Sequence, residues 1–190
     1  MLYKDINQAI GNLDLYLLDQ ILKGTFDGRQ RILDAGCGEG RNLTYFVNNG
    51  YEVYGIDKNP QALLMAMMTH KAVPKENWTT GDLSENPHPD LYFDAVLCSA
   101  VLHFADNYQH FHKIMNEIIR VLAPDGILFI RTATAIGLSE VDDNSSFSYL
   151  LEPEQLYNFN QLYPLNFLEL PKSVVVNGQR SMGILVMQKK

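Results

Sequence analysis

Arg31-Ile32-Leu33-Asp34-Ala35-Gly36-Cys37-Gly38-Glu39-Gly40 is the stretch whose reading decides the fold. An apolar segment runs into an acidic residue and then into three glycines at alternating positions, and helix-like sequence begins at Arg41. That order reads as a buried strand, a tight turn and a helix start. Glycines in the turn let the backbone take conformations closed to other residues and let a ligand come close. A helix behind the turn offers unpaired N–H groups and a positive dipole end. Such a turn suits a nucleotide-like ligand. A second acidic residue, Asp57, ends another apolar run, Val53-Tyr54-Gly55-Ile56. A carboxylate there can accept both hydroxyls of a ribose, through charge-assisted bonds worth roughly 1.5–3 kcal/mol each. Asp34 and Asp57 both fall at the C-terminal ends of strands, the edge at which open α/β sheets bind ligands.

Outward from this turn, strands and helices alternate. Strands are expected over about 31–36, 52–57, 77–81, 93–99 and 126–132. The strand at 93–99 is almost continuously apolar, as a parallel strand covered on both faces should be. A helix over about 41–49 is closed by Asn49-Gly50. Asn59 caps the next, with Pro60 at its first position and Leu63, Leu64, Met67 and Met68 along it. Phe111, Ile114, Met115, Ile118 and Leu122 mark a third. Residues 84–92, with Pro87 and Pro89, form a loop. Upstream of the turn, Ile6, Ile10, Leu13, Leu17 and Ile21 recur at helical spacing and predict one amphipathic helix over 5–23. Downstream, residues 133–150 are small and polar, with Glu140, Asp142, Asp143 and Ser145-Ser146; a loop of that length in a compact domain is usually functional or mobile. Pro153 starts a helix reaching about Tyr163. Two β-rich runs, about 167–176 and 181–188, meet near Asn177-Gly178, a strong hairpin signal.

The glycine spacing separates ligand classes. A dinucleotide fingerprint places its third glycine where Arg41 stands, whereas this chain places it at Gly40. The pattern Asp34-x-Gly36-x-Gly38-x-Gly40 instead resembles the first motif of class I S-adenosylmethionine-dependent methyltransferases. Four further stretches extend the resemblance in the family's order: Gly55-Ile56-Asp57-Lys58-Asn59-Pro60, Gly81-Asp82-Leu83, Phe93 through His103, and Leu122-Ala123-Pro124-Asp125-Gly126-Ile127-Leu128. Gly40-Arg41-Asn42 is also similar to the tellurite-resistance methyltransferases. The resemblance implies a Rossmann-like, doubly wound α/β fold. Its sheet would be mostly parallel and seven-stranded, with an antiparallel C-terminal strand and helices on both faces. Residues 1–190 are expected as one methyltransferase domain: a helical cap (1–28), a cofactor-binding core (29–132) and an acceptor-side loop, helix and hairpin (133–190).

By the same resemblance, S-adenosyl-L-methionine is the cofactor and S-adenosyl-L-homocysteine the product. Asp34, Ala35, Gly36, Cys37, Gly38 and Gly40 would face its methionine part, and Arg41 is a further contact. Asp57 would bind the ribose, Lys58 would flank the adenine, Asp82 would accept from the adenine amino group and Leu83 would lie close by. Ser99 and Ala100 would offer backbone groups to the methionine end. The sulfonium is an activated methyl donor, so the protein mainly has to align the acceptor and exclude water. A base is needed only for a protonated acceptor, and His103, just past the fourth strand, is the candidate. Tyr3, Tyr16, Phe147 and Tyr149 are candidate acceptor contacts.

Composition narrows the partners. The 190 residues carry a net charge of −7 and are 46% hydrophobic, ordinary for a globular core. No basic footprint for nucleic acid is visible. No apolar run approaches the about 20 residues of a membrane span, and the first residues do not read as a secretory signal. Cys37 and Cys98 read as isolated buried thiols, and no Cys/His spacing suggests a metal. His110 and His112 read as surface helix positions. A cytoplasmic monomer or homodimer acting on a small-molecule acceptor fits best. The alternatives are a protein or RNA methyltransferase, a catalytically silent cofactor-binding protein, and an NAD-dependent oxidoreductase, which the glycine spacing disfavours.

Overall fold

The computed structural model describes residues 2–138, 147–176 and 180–190. Helices α1 (Tyr3–Ile10) and α2 (Leu15–Leu22) precede β1 (Arg31–Ala35), α3 (Thr44–Asn48), β2 (Glu52–Asp57), α4 (Pro60–Thr69) and β3 (Trp78–Thr80). Then come β4 (Phe93–Ser99), α5 (Tyr108–Val121), β5 (Leu122–Thr134), α6 (Pro153–Tyr157), α7 (Phe159–Leu162), β6 (Leu165–Phe167), β7 (Lys172–Val176) and β8 (Arg180–Lys189). Asn59 caps α4 as its sequence predicts, its side chain accepting from the N–H groups of Gln61 and Ala62.

The strands form one sheet in the order β3-β2-β1-β4-β5-β8-β6, with β7 also on β8. The β1–β2, β1–β4, β2–β3 and β4–β5 pairs are parallel, and the three pairs made by β8 are antiparallel. Strand alternation sorts the core onto two faces. Leu33, Val96, Cys98, Leu128, Ile130 and Met187 pack with Phe111, Met115 and Ile118 of α5. Ile32, Leu97, Phe129, Ile184 and Val186 pack on the other face with Leu17 of α2, Leu43, and Phe46 of α3.

Three expectations change. The resemblance implies seven strands, and among the described residues the sheet has eight. The β-rich run ending at 176 breaks at Leu168–Pro171, and its halves share one lane. β6 pairs with Met187–Lys189 and β7 with Arg180–Ile184, along the edge of β8 that faces away from β5. The helix expected over 5–23 is two helices. Gly11 takes a left-handed φ of 71°, and Asp14 caps α2 by accepting from the N–H groups of Tyr16 and Leu17. The helix expected from Pro153 breaks at Asn158 into α6 and α7. The acidic segment at 140–146, the Asn177-Gly178 turn and the side chain of Tyr3 lie outside the described residues.

Candidate functional site

The three glycines after β1 all have left-handed φ, and each answers a different need. Gly36 (φ 79°) passes beneath Val101, so an added Cβ would come within 2.4 Å of its Cγ2. Gly40 (φ 75°) packs against the His70 ring, where a Cβ would come within 2.9 Å; its carbonyl meets His70 Nε2 at 2.8 Å. At Gly38 (φ 52°) a Cβ would meet nothing within 4 Å among the described residues, leaving bare backbone beside open space. The Gly38 N–H donates to Asp57 Oδ2 (2.8 Å), and the Asn59 N–H donates to Oδ1 (2.8 Å). One carboxylate therefore ties the glycine turn to the end of β2.

Above this tie lies a cavity of about 310 Å³. Gly36, Gly38, Asp57, Lys58, Gly81, Asp82, Leu83 and Ala100 line one part, and Val101, Phe104, Ala105, His110 and Ile114 close it with a largely apolar wall. Ala100 holds a φ of 64°, a conformation that costs a residue with a Cβ about 1–2 kcal/mol. Its N–H donates to Arg131 O (2.7 Å), which fixes it there. Asp82 Oδ1 accepts from the Ser84 N–H (2.8 Å) and lies 3.5 Å from His110 Nε2. Burial opposes ionisation of Asp82, but the Ser84 and His110 bonds outweigh it and lower its pKa. His110, read from sequence as a surface position, thus faces the cavity.

Beside the cavity lies a polar cluster in which Ser99 and Arg41, both expected site residues, meet Asp14 and Arg131, which the sequence reading missed. Asp14, 5% exposed, caps α2 through Oδ1. Its Oδ2 accepts from Ser99 Oγ (3.2 Å) and pairs with Arg131 Nη1 (3.3 Å) and, at 3.8 Å, with Arg41 Nη2. The Asp14 N–H donates to Asn42 Oδ1 (3.1 Å). The signal for Asp14 was present as a polar capping residue three positions after Gly11. Nothing in the local pattern marked Arg131.

The expected site residues divide accordingly. Gly36, Gly38, Asp57, Lys58, Asp82, Leu83 and Ala100 line the cavity. Asp34, Ala35, Cys37, Gly40, Arg41 and Ser99 do not, although all adjoin it in the chain or in the cluster. Ala35 is a core residue. Cys37 and Cys98 are buried free thiols, with pKa values pushed up by burial first and then by the nearby carboxylates. Asp34 is 1% exposed, and among the described residues its Oδ2 has no hydrogen-bond partner. Burial raises its pKa to about 7 and Asp57 adds to that, while Arg41 opposes it.

His103 is the clearest departure. It is buried outside the cavity lining, its ring centroid 4.4 Å from that of Phe104 and 4.1 Å from that of Phe147. Its Nδ1 accepts from the Ala133 N–H (3.3 Å). Burial, then Arg131 and Arg180, lower its pKa to about 4, so it is neutral at pH 7 and poorly matched to a base working there. Of the aromatic acceptor candidates, Tyr149 packs on Phe111 and its hydroxyl accepts from Gln155 Nε2 (2.7 Å). Tyr16 lies beneath Arg131.

The residues present suit a nucleoside carrying an amino-acid end. Gly38 leaves room, Asp57 has used one N–H per oxygen and retains acceptor capacity, and Asp34 Oδ2 is a buried acceptor with no partner among the described residues. Among the described residues, no group of His, Cys, Asp and Glu is placed to hold a metal ion.

Residues 33–130 match the family model of the methyltransferase domain, and the chain belongs to that family. It is 32% identical over 111 residues to the malonyl-[acyl-carrier protein] O-methyltransferase of Enterobacter lignolyticus, covering 58% of this chain and 42% of that relative. The match thus spans less than half of that relative's length. A solved SAM-dependent methyltransferase from Methanosarcina mazei aligns with a TM-score of 0.71 at 20% identity, over 93% of this chain and 99% of that one. TehB from Haemophilus influenzae aligns with a TM-score of 0.69 at 21% identity, over 90% and 62% respectively. At these identities the structural likeness establishes the Rossmann-like fold.

Proposed function

We propose that the protein is an S-adenosyl-L-methionine-dependent methyltransferase that transfers a methyl group to a small-molecule acceptor by in-line displacement, releasing S-adenosyl-L-homocysteine. The observation that carries the reading is the Asp57–Gly38 tie at the floor of a 310 Å³ cavity at the C-terminal edge of the parallel strands. Asp57 accepts the ribose hydroxyls, and Gly38 admits the nucleoside against bare backbone. Asp82 and Leu83 meet the adenine edge, with Lys58 beside it. Gly36, Asp34 and Ala100 border the methionine end. The bound donor supplies a methyl group already activated on a sulfonium. Val101, Phe104 and Ile114 exclude water, which holds the reacting groups close and dry. His103 packs the wall behind this site rather than moving a proton.

A small acceptor is supported by the largely apolar wall and by the acidic balance of the chain, which does not favour nucleic acid. The Enterobacter relative acts on a carrier-bound malonyl group by its name, which is consistent with a small methylated moiety. Among the described residues no helix is long and apolar enough to cross a membrane, and a cytoplasmic monomer or homodimer remains our reading. Calorimetric titration with S-adenosylmethionine, S-adenosylhomocysteine and NAD tests the proposal. Micromolar binding of the first two without NAD is expected. A preference for NAD overturns it. Donor binding without turnover on any acceptor would instead mark a silent binding protein.

A further inference from the structure

His110 lines the cavity, and the proposed roles assign nothing to it. It stands three residues after Asn107, whose side chain accepts from the His110 N–H (3.0 Å) and caps α5. Phe111 and Ile114 beside it are buried in the core, so the start of this helix is fixed against the sheet. The imidazole lies between two carboxylates. Nδ1 accepts from the Asp106 N–H (3.1 Å), which leaves the proton of the neutral ring on Nε2. Nε2 faces Asp82 Oδ1 at 3.5 Å. A charged ring would direct its second N–H at Asp106 Oδ2, 3.2 Å from Nδ1. In either form an Nε2–H is aimed at Asp82. Lys113, three residues further along α5, adds a second link to the turn after Asp82 by pairing with Glu85 at 3.5 Å.

Asp82 divides its two oxygens. Oδ1 takes both the Ser84 N–H (2.8 Å) and His110, while Oδ2 has no hydrogen bond among the described residues. The Ser84 bond is local to the turn, and the terminal torsion of an aspartate is soft. His110 comes from another element and limits that rotation. We infer that His110 is a positioning residue for recognition of the purine base: it holds Asp82 Oδ1 and so keeps Oδ2 for the exocyclic amino group, which rests on the proposed place of Asp82 at the adenine edge. The consequence is selectivity for a 6-amino purine over a 6-oxo purine. An amino group donates to the held carboxylate oxygen. An oxo group in the same place is an acceptor, and two acceptors then face each other in a partly desolvated cavity. A carboxylate free to turn away would oppose the oxo group less and would hold the amino group less well, so the discrimination would shrink from both sides.

The test is calorimetric titration with S-adenosylhomocysteine and with S-inosylhomocysteine, its 6-oxo counterpart. Wild type should prefer the 6-amino ligand by about tenfold or more, the scale of one charge-assisted bond. Asp82→Asn should cancel most of that preference, because an amide can turn to meet either group. His110→Ala and His110→Leu, the second of which fills the wall without an N–H, should each cut the preference by roughly threefold or more. His110→Gln, whose amide can donate to Asp82, should restore part of it. The ratio of the two affinities separates this role from a structural one, since a loosened wall alone weakens both ligands alike. A wild-type preference in whichever of His110→Ala and His110→Leu folds, with Asp82→Asn still losing it, overturns the role of His110 and leaves the donor reading intact. A wild-type protein that binds both ligands equally overturns the place of Asp82, and one that binds neither overturns the donor reading; each takes the role of His110 with it.

Discussion

The parallel half of the sheet and the antiparallel half are built for different work. In the parallel half, β1, β2, β3 and β4 each hand over to the next segment at one edge, and the residues at those handovers meet at the cavity: Gly36, Asp57, Gly81 and Ala100. A crossover forces every such strand to turn at the same end, so special backbone accumulates there. The antiparallel half, β8 with β6 and β7 against β5, puts its residues into core packing instead, with Phe129, Val186 and Leu185 all buried. Arg131 is the exception, a β5 side chain that reaches back to the handover edge. A site made by backbone is therefore concentrated in one half, and stability is shared by both.

The largest effect should come from the packing side. Phe129→Ala removes a fully buried ring between Leu97 of β4 and Val186 of β8 and should cost about 3–5 kcal/mol, read from urea unfolding midpoints. Donor affinity of the folded fraction should be nearly unchanged. Gly36→Ala reverses that pattern. Its left-handed φ costs about 1–2 kcal/mol and the clash with Val101 about 1–3 more, and donor binding should be lost with them. Wild-type affinity in this variant would break the contrast between the halves. Asp57→Ala should weaken donor binding by roughly 2–4 kcal/mol in calorimetry, since it removes the proposed ribose acceptor and frees the Gly38 N–H.

Acidity probes both halves together. The His103 pKa is about 4 in the fold against 6.5 for an ordinary histidine. Its contribution is complete above the unfolded value, and about 3 kcal/mol is lost as pH falls from 6.5 to 4. Asp34 acts in the opposite sense. Its pKa rises from 3.8 to about 7, so its contribution is complete below pH 3.8 and is lost as pH rises through 7. The two slopes oppose each other in wild type. In His103→Gln the Asp34 slope is uncovered, and urea midpoints should fall as pH rises across that window, relative to wild type. The smallest effect is expected at Lys172, whose side chain is 41% exposed and pairs with Glu169 at 2.6 Å. Lys172→Ala should change stability by no more than about 1 kcal/mol in the same unfolding assay.

The parallel half was also the legible half. Glycines at positive φ, a capping Asn59 before Pro60 and apolar runs ending in Asp34 and Asp57 are local features with local causes, and they located strands, turns and cavity floor. The missed residues depend on contacts distant in sequence. Arg131 meets Asp14 from 117 positions away. No local period announces such a pair. The apolar spacing from Ile6 to Ile21 continues across the break at Gly11, although Ile6 of α1 is exposed and Leu17 of α2 is buried, so one helix was read where two exist. His110 sits on α5 among exposed neighbours, and only the fold reveals that its side chain turns toward Asp82. His103 shows the converse. Its place after β4 pointed to chemistry, but the side chain turns into the wall.

The lane shared by β6 and β7 bears on how the protein behaves at high concentration. An outer strand with a long unpaired row of N–H and C=O groups is a template on which a second chain can build. Here that row is cut into a piece of 3 residues and a piece of 5, with Leu168–Pro171 between them, and β3 at the opposite end of the sheet has only 3. Neither margin gives an incoming strand more than a short run to pair with. Sheet-to-sheet growth is blunted at both ends, whatever the rest of the surface does.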